Sequence, residues 1–142
     1  ASPERALSFH APEKLLAEGD EALLRNALTN LLDNAWKFTR ARRPAVISLS
    51  AEPETTQVKY ILQDNGVGFD MAHAKRLFQP FQQLHVNQGY GGTGIGLASV
   101  RRIIERHGGQ IWAEAAPDVG ARFIFILPRH ASVLRRRERT AG

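Results

Sequence analysis

Three short stretches of this chain carry residues whose types and spacing can do chemistry. In NLLDNAWKFT, residues 30–39, Asn30 and Asn34 stand four apart and Lys37 follows three further on. At about 100° per residue these three share one flank of a helix, with Asn34 nearest the apolar edge. An amide oxygen there can ligate a hard cation, and a neighbouring lysine can meet phosphate oxygens. A plain polar flank of a surface helix would explain the same three residues. In DNGVG, Asp64–Gly68, the glycines would let backbone approach a flat ligand, with Asp64 as acceptor for an exocyclic amine. A carboxylate accepts from the amine of adenine and repels the carbonyl oxygen of guanine. Asn-Gly is also a strong hairpin-turn signal. In GGTGIGL, Gly91–Leu97, glycines opening a helix place free N–H groups at the positive end of its dipole, which makes a phosphate site. A flexible linker is the alternative. Residues 89–94 also match the G-x-G-x-x-G spacing of dinucleotide-binding folds, but that fingerprint must directly follow a buried strand, and the polar LHVNQ stands there instead.

The elements that must position these stretches can be read from periodicity. Asp20 can cap a helix, with Glu21 at its positive end. Leu24, Ala27, Leu28, Leu31, Ala35 and Phe38 then recur at helical spacing, and Arg42, Arg43 and Pro44 are expected to end the run. Leu7–His10 and Leu15–Ala17 read as strand material. Val46–Ala51 and Val58–Gln63 read as strands joined by a turn at EPETT. Met71–Phe78 is expected to form a short helix, and Gln82–Gly92, with few apolar anchors, a mobile loop. Ile95–His107 is a second amphipathic helix with Leu97, Val100, Ile103 and Ile104 inward, stopped by Gly108. Two strands follow, Gln110–Ala115 and Arg122–Leu127. The pattern is an α/β (α+β) two-layer sandwich: a mixed, mainly antiparallel sheet of about five strands under about three helices.

The bulk composition narrows the function classes. A chain of 142 residues with 43% hydrophobic residues can bury one sizeable core. It has no cysteine, so thiolate metal sites, thiol nucleophiles and disulfides are excluded, and a reducing compartment, the cytoplasm, is expected. No apolar run reaches the length of a membrane span, and the first residues lack the layout of a signal peptide. The net charge of +5 does not point to nucleic acid, because the tail RRRER, Arg135–Arg139, supplies most of it.

Taken together and in this order, NLLDNAWKFT, DNGVG, Phe78–Phe81 (FQPF) and GTGIGL resemble the asparagine, first glycine, phenylalanine and second glycine boxes of the ATP-binding catalytic domain of sensor histidine kinases, in the GHKL superfamily. The wording AWKFT, FQQLH and RRIIERHGGQIWAE is most similar to the bacteriophytochrome-like and PAS-linked sensors. The resemblance implies a Bergerat-type fold over residues 1–130, a lid over about 82–91 and a frayed basic tail at 131–142. ATP and Mg²⁺ are the implied cofactors. Asn34 would hold Mg²⁺, Asn30 would lie near the metal and phosphates, and Lys37 would contact a phosphate. Asp64 would take the adenine amine, with Gly66 and Gly68 lining the base. Gly92, Thr93, Gly94, Ile95, Gly96 and Leu97 would form the phosphate cradle, and Phe78 and Phe81 would anchor the lid, though plain packing explains them nearly as well.

In the hydrolytic relatives a glutamate base sits four residues before the metal asparagine; here that position is Asn30, and an amide cannot take a proton. The resemblance therefore implies a phosphotransfer domain that holds ATP for another acceptor. The rival readings are a GHKL-type ATPase or chaperone module and a degenerate nucleotide-binding interaction domain. None of the five histidines is followed by an acidic residue and then a proline, as the family's acceptor histidines are. The implied partners are the dimerisation and histidine-phosphotransfer domain of the same kinase and, indirectly, a response regulator. The isolated chain is expected to be monomeric, without nucleic-acid or membrane contact. Two departures stand out: Gln83 where many relatives carry an arginine, and Arg122 where small hydroxyl residues are common.

Overall fold

A computed structural model of the chain describes residues 7–12, 17–79 and 95–129. The elements run β1 (Leu7–His10), α1 (Glu21–Phe38), β2 (Ala45–Pro53), β3 (Gln57–Asp64), a 3-10 helix (Met71–Arg76), α2 (Ile95–Arg106), β4 (Gln110–Ala116) and β5 (Gly120–Pro128). The five strands form one sheet in the order β1-β2-β3-β5-β4. Only the β1–β2 pair is parallel; the other three pairs are antiparallel. The helices α1 and α2 pack beside each other on one face, so the expected mixed sandwich is what the chain forms.

The period-2 pattern of the strands decides which side chains reach the helices. On β3, Tyr60, Leu62 and Asp64 are buried; on β5, so are Phe123, Phe125 and Leu127. They meet Leu31 of α1 and Val100 and Ile104 of α2, each fully buried. Every such aliphatic side chain contributes about 1.5–3 kcal/mol. Tyr60 stacks on Phe125 with ring centroids 4.9 Å apart. Asp64 is thus the last residue in phase with a hydrophobic face, and this puts a carboxylate at the inner edge of the core.

The ends of the helices have local causes. The Asp20 carboxylate accepts from Leu23 N at 3.0 Å and caps α1 as expected. The ring of His107 ties the two helices together: its Nδ1 meets Ile103 O at 2.8 Å, and its Nε2 accepts from Asp20 N at 2.9 Å. Gly108, at φ 80°, ends α2 in the left-handed conformation.

Some expectations need correction. The first helix ends at Phe38, before Arg42. Two diversions stop it: Phe38 O accepts from Val67 N at 3.0 Å, and the buried Thr39 hydroxyl donates to Ala35 O at 2.7 Å. The expected short helix over Met71–Phe78 is a 3-10 turn that ends at Arg76. DNGVG is not a hairpin turn, because the chain leaves the sheet after Asp64 and β3 pairs instead with β2 and β5. Ala17 carries no strand, and Leu15 and Leu16 lie outside the described residues. So do residues 82–91, expected as a lid, and the tail 131–142. No helix among the described residues is long and apolar enough to cross a membrane.

Candidate functional site

The described candidate residues are arranged around α1, whose Asn30 flank meets the first turn of α2 and whose last residue, Phe38, meets the loop after β3. On α1, Asn30, Asn34 and Lys37 are all half-buried, along the flank that the spacing predicts. Asn30 Nδ2 donates to Asn26 Oδ1 at 2.7 Å and to Asn26 O at 3.1 Å, which directs its Oδ1 away from that residue. That oxygen faces the first turn of α2: a Cβ placed on Gly96 would stand 3.3 Å from it. The small residue in the second glycine stretch therefore lets α2 begin against the asparagine flank. Lys37 Nζ lies 3.1 Å from Asp33 Oδ2 in a solvent-accessible i,i+4 pair. Such a pair is worth well under about 1 kcal/mol, so the ammonium is available to a stronger anion.

Asp64 is only 5% exposed. Its Oδ1 accepts from Gly66 N at 2.8 Å. Burial pushes its pKa up to about 6, while the backbone N–H groups of Gly66 and Ala121 pull the other way. A carboxyl this close to neutrality is costly to keep ionised without a further donor, and an exocyclic amine would supply one.

The glycines around Asp64 are imposed by close backbone. A Cβ on Gly66 would stand 2.4 Å from Phe38 O. Gly68 has φ 62°, and its Cβ would stand 2.1 Å from Ala116 O. The loop is thus wedged between the end of α1 and the β4–β5 turn, and larger residues would force these apart.

Leu97 is buried at the start of α2. Phe78 is buried too, its ring edge-on to Phe123 with centroids 6.2 Å apart, so packing is its visible role. Phe81, Gly92, Thr93 and Gly94, together with Gln83, lie outside the described residues, and Ile95 is described only as the first residue of α2. Arg122 falls on the strand face opposite Asp64 and sits 3.3 Å from Glu114 Oε1, so it points away from this site. Among the described residues no three His, Asp or Glu side chains gather as a metal site. A magnesium ion held by the Asn34 amide oxygen would therefore draw most of its ligands from phosphate and water, which suits that ion.

Sequence reasoning missed two loop-binding residues. Asn65, read as part of a turn, accepts from Val46 N at 2.8 Å and donates to Pro44 O at 3.1 Å, which pins the loop to the start of β2. Arg42, read only as a helix terminator, donates to the backbone of the same loop. No spacing rule marks either contact, since both partners are main-chain atoms distant in sequence.

Known proteins resemble this chain in sequence and fold. The family model for histidine kinase-, DNA gyrase B- and HSP90-like ATPases matches residues 19–131. Cyanobacterial phytochrome A of Nostoc sp. is 38% identical over 133 residues, 94% of this chain and 17% of that protein. The adaptive-response sensory kinase SasA of Synechocystis sp. is 39% identical over 110 residues, 77% of this chain and 28% of that protein. The chain thus spans less than a third of these relatives. The catalytic domain of histidine kinase ThkA superposes with a TM-score of 0.70 at 30% identity, covering 87% of this chain and 79% of that one. ThkA in complex with the response regulator protein TrrA gives a TM-score of 0.68 at 27% identity, over 87% of this chain and 34% of that one. Fold, motif order and these similarities agree: the chain belongs to the histidine kinase-, DNA gyrase B- and HSP90-like ATPase family, as the ATP-binding catalytic domain of a sensor histidine kinase.

Proposed function

We propose that this domain binds Mg²⁺-ATP at the Asn34–Asp64 end of the sandwich and donates the γ-phosphoryl group to a histidine on a separate dimerisation domain. Two contacts with α1 support the reading: Gly96 at the start of α2 abuts Asn30, and the loop after the buried Asp64 abuts Phe38 at the end of the same helix. Adenine would place its amine on Asp64 against the Gly66–Gly68 bend, and the phosphates would run towards Asn30, Asn34 and Lys37. Bound Mg²⁺ would neutralise phosphate charge there. Residues 1–130 form the ATP-binding unit in this reading, with residues 82–91 as its lid and 131–142 as a tail. Of the described members of the proposed phosphate cradle, Gly96 keeps the α2 terminus open and Leu97 anchors it in the core.

Asn30 supports transfer over hydrolysis. Its amide cannot accept a proton from water, and its Nδ2 is engaged by Asn26. Positioning and electrostatic stabilisation would then do most of the work. The acceptor domain and a response regulator are the proposed partners, as in the ThkA complex with TrrA, and the cytoplasm is the proposed compartment.

Two measurements test this. Calorimetry of the chain with ATP and Mg²⁺ should show binding, and label from γ-labelled ATP should pass to the histidine domain of the same kinase when that is added. Rapid release of free phosphate by the chain alone would place it with the hydrolytic members. No heat at millimolar nucleotide would leave only a protein-interaction module.

A further inference from the structure

Arg42 uses its guanidinium in an unusual way. No carboxylate pairs with it among the described residues. Instead, Nε donates to Asn65 O at 2.6 Å, and Nη2 donates to Gly66 O at 3.1 Å and to Asp118 O at 2.6 Å. All three acceptors are backbone carbonyls on two loops that meet beside Asp64.

Peptide planarity turns these contacts into control of Asp64. In a trans peptide the C=O and the N–H point in opposite directions on one rigid plane. The Asn65–Gly66 peptide is held by Arg42 Nε at its oxygen and by Asp64 Oδ1 at its N–H, the latter at 2.8 Å. The next peptide, Gly66–Val67, is held by Arg42 Nη2 at its oxygen and by Phe38 O at its N–H, at 3.0 Å. Val67 O in turn accepts from Asp118 N at 2.7 Å, and Asp118 O returns to Arg42. One guanidinium thus closes a ring through the end of α1, the loop after β3 and the β4–β5 turn.

We propose that Arg42 is a positioning residue for base recognition: by gripping the Asn65 and Gly66 carbonyls it holds the Gly66 N–H on Asp64 and so orients the carboxylate towards the adenine amine. This rests on the reading of Asp64 as the adenine acceptor. Without Arg42, the Asn65–Gly66 plane loses the hydrogen bond at its oxygen, and the Gly66 N–H is held less firmly on the Asp64 carboxylate. Lysine cannot replace it, because a single ammonium has no planar fork to span three carbonyls.

The test has two arms, each run on the wild-type chain, Arg42→Lys and Arg42→Ala. In the nucleotide-free protein, hydrogen exchange at the Gly66 amide should speed up about tenfold or more in both variants while the Val100 and Ile104 amides keep their protection. In calorimetry with Mg²⁺, ATP affinity should fall about tenfold, the scale of one charge-assisted hydrogen bond, and the ATP-over-GTP ratio should fall with it. Any change in folded fraction cancels in that ratio, so a variant that merely loses stability leaves it unmoved. Unchanged Gly66 exchange, an unchanged ratio, or full rescue by lysine overturns the proposal. Faster Gly66 exchange in variants of a chain that never prefers ATP would show the grip to be real and the adenine role wrong, which overturns the inference together with the reading beneath it.

Discussion

Asp64→Asn separates the folding cost of the site from its binding use. Burial pushes the Asp64 carboxyl from its ordinary pKa of 3.8 up to about 6. Above its folded pKa the wild-type chain must keep a buried carboxylate ionised, while the unfolded chain ionises it freely. Between about pH 4 and pH 6 the folded state therefore holds more protons than the unfolded one, and this group makes stability fall as pH rises. The full cost above that window is about 3 kcal/mol. The asparagine variant keeps an acceptor for Gly66 N–H at 2.8 Å, but its NH₂ adds a buried donor whose cost is the same at every pH. Comparing two pH values removes that constant. With the shifts above, the stability of the variant relative to wild type should improve by about 1.4 kcal/mol between pH 5 and pH 7.5. Denaturant unfolding of both proteins at both pH values, without nucleotide, reads this directly. A relative stability that does not change with pH would refute the argument that burial of an ionised Asp64 costs folding energy. The same substitution should lower ATP affinity and erase the preference over GTP, because an amide can turn a donor towards the adenine amine.

Three further substitutions probe neighbouring parts of the site. Asn34→Ala should leave the fold intact and abolish the Mg²⁺ dependence of triphosphate binding in calorimetry; an unaltered Mg²⁺ response would remove Asn34 from the metal site. Gly68→Ala, at φ 62° with Ala116 O only 2.1 Å from the new Cβ, should destabilise the protein by about 2 kcal/mol or more in thermal unfolding, since the loop or β4 must move. Gly96→Ala should behave differently: the helix gains up to about 1 kcal/mol in propensity, yet a methyl group 3.3 Å from Asn30 Oδ1 crowds the amide. Equal or higher melting temperature with weaker Mg²⁺-ATP binding is the expected pair of results, and undiminished affinity would show that Asn30 has room to yield.

The sequence by itself determined the helices and strands, because their apolar periods are local and strong. α1 carries Leu31 and Ala35 to the core at helical spacing, and β3 carries Tyr60 and Leu62 at strand spacing. The asparagine flank was legible for the same reason: once the apolar stripe of α1 is fixed, the adjoining flank of Asn30, Asn34 and Lys37 is fixed with it. The motif order made the family legible as well. What the tertiary structure decided was how these stretches meet. Only the fold places Gly96 against Asn30, turns Asp64 into a buried carboxyl with a raised pKa, and ends α1 at Phe38 because Val67 N claims its carbonyl. Arg42 and Asn65 escaped sequence reasoning because their partners are backbone groups 19 to 76 residues away. Main-chain carbonyls and amides are the same at every position, so no residue pattern marks which of them a folded loop will present; only the packing of one element on another selects them.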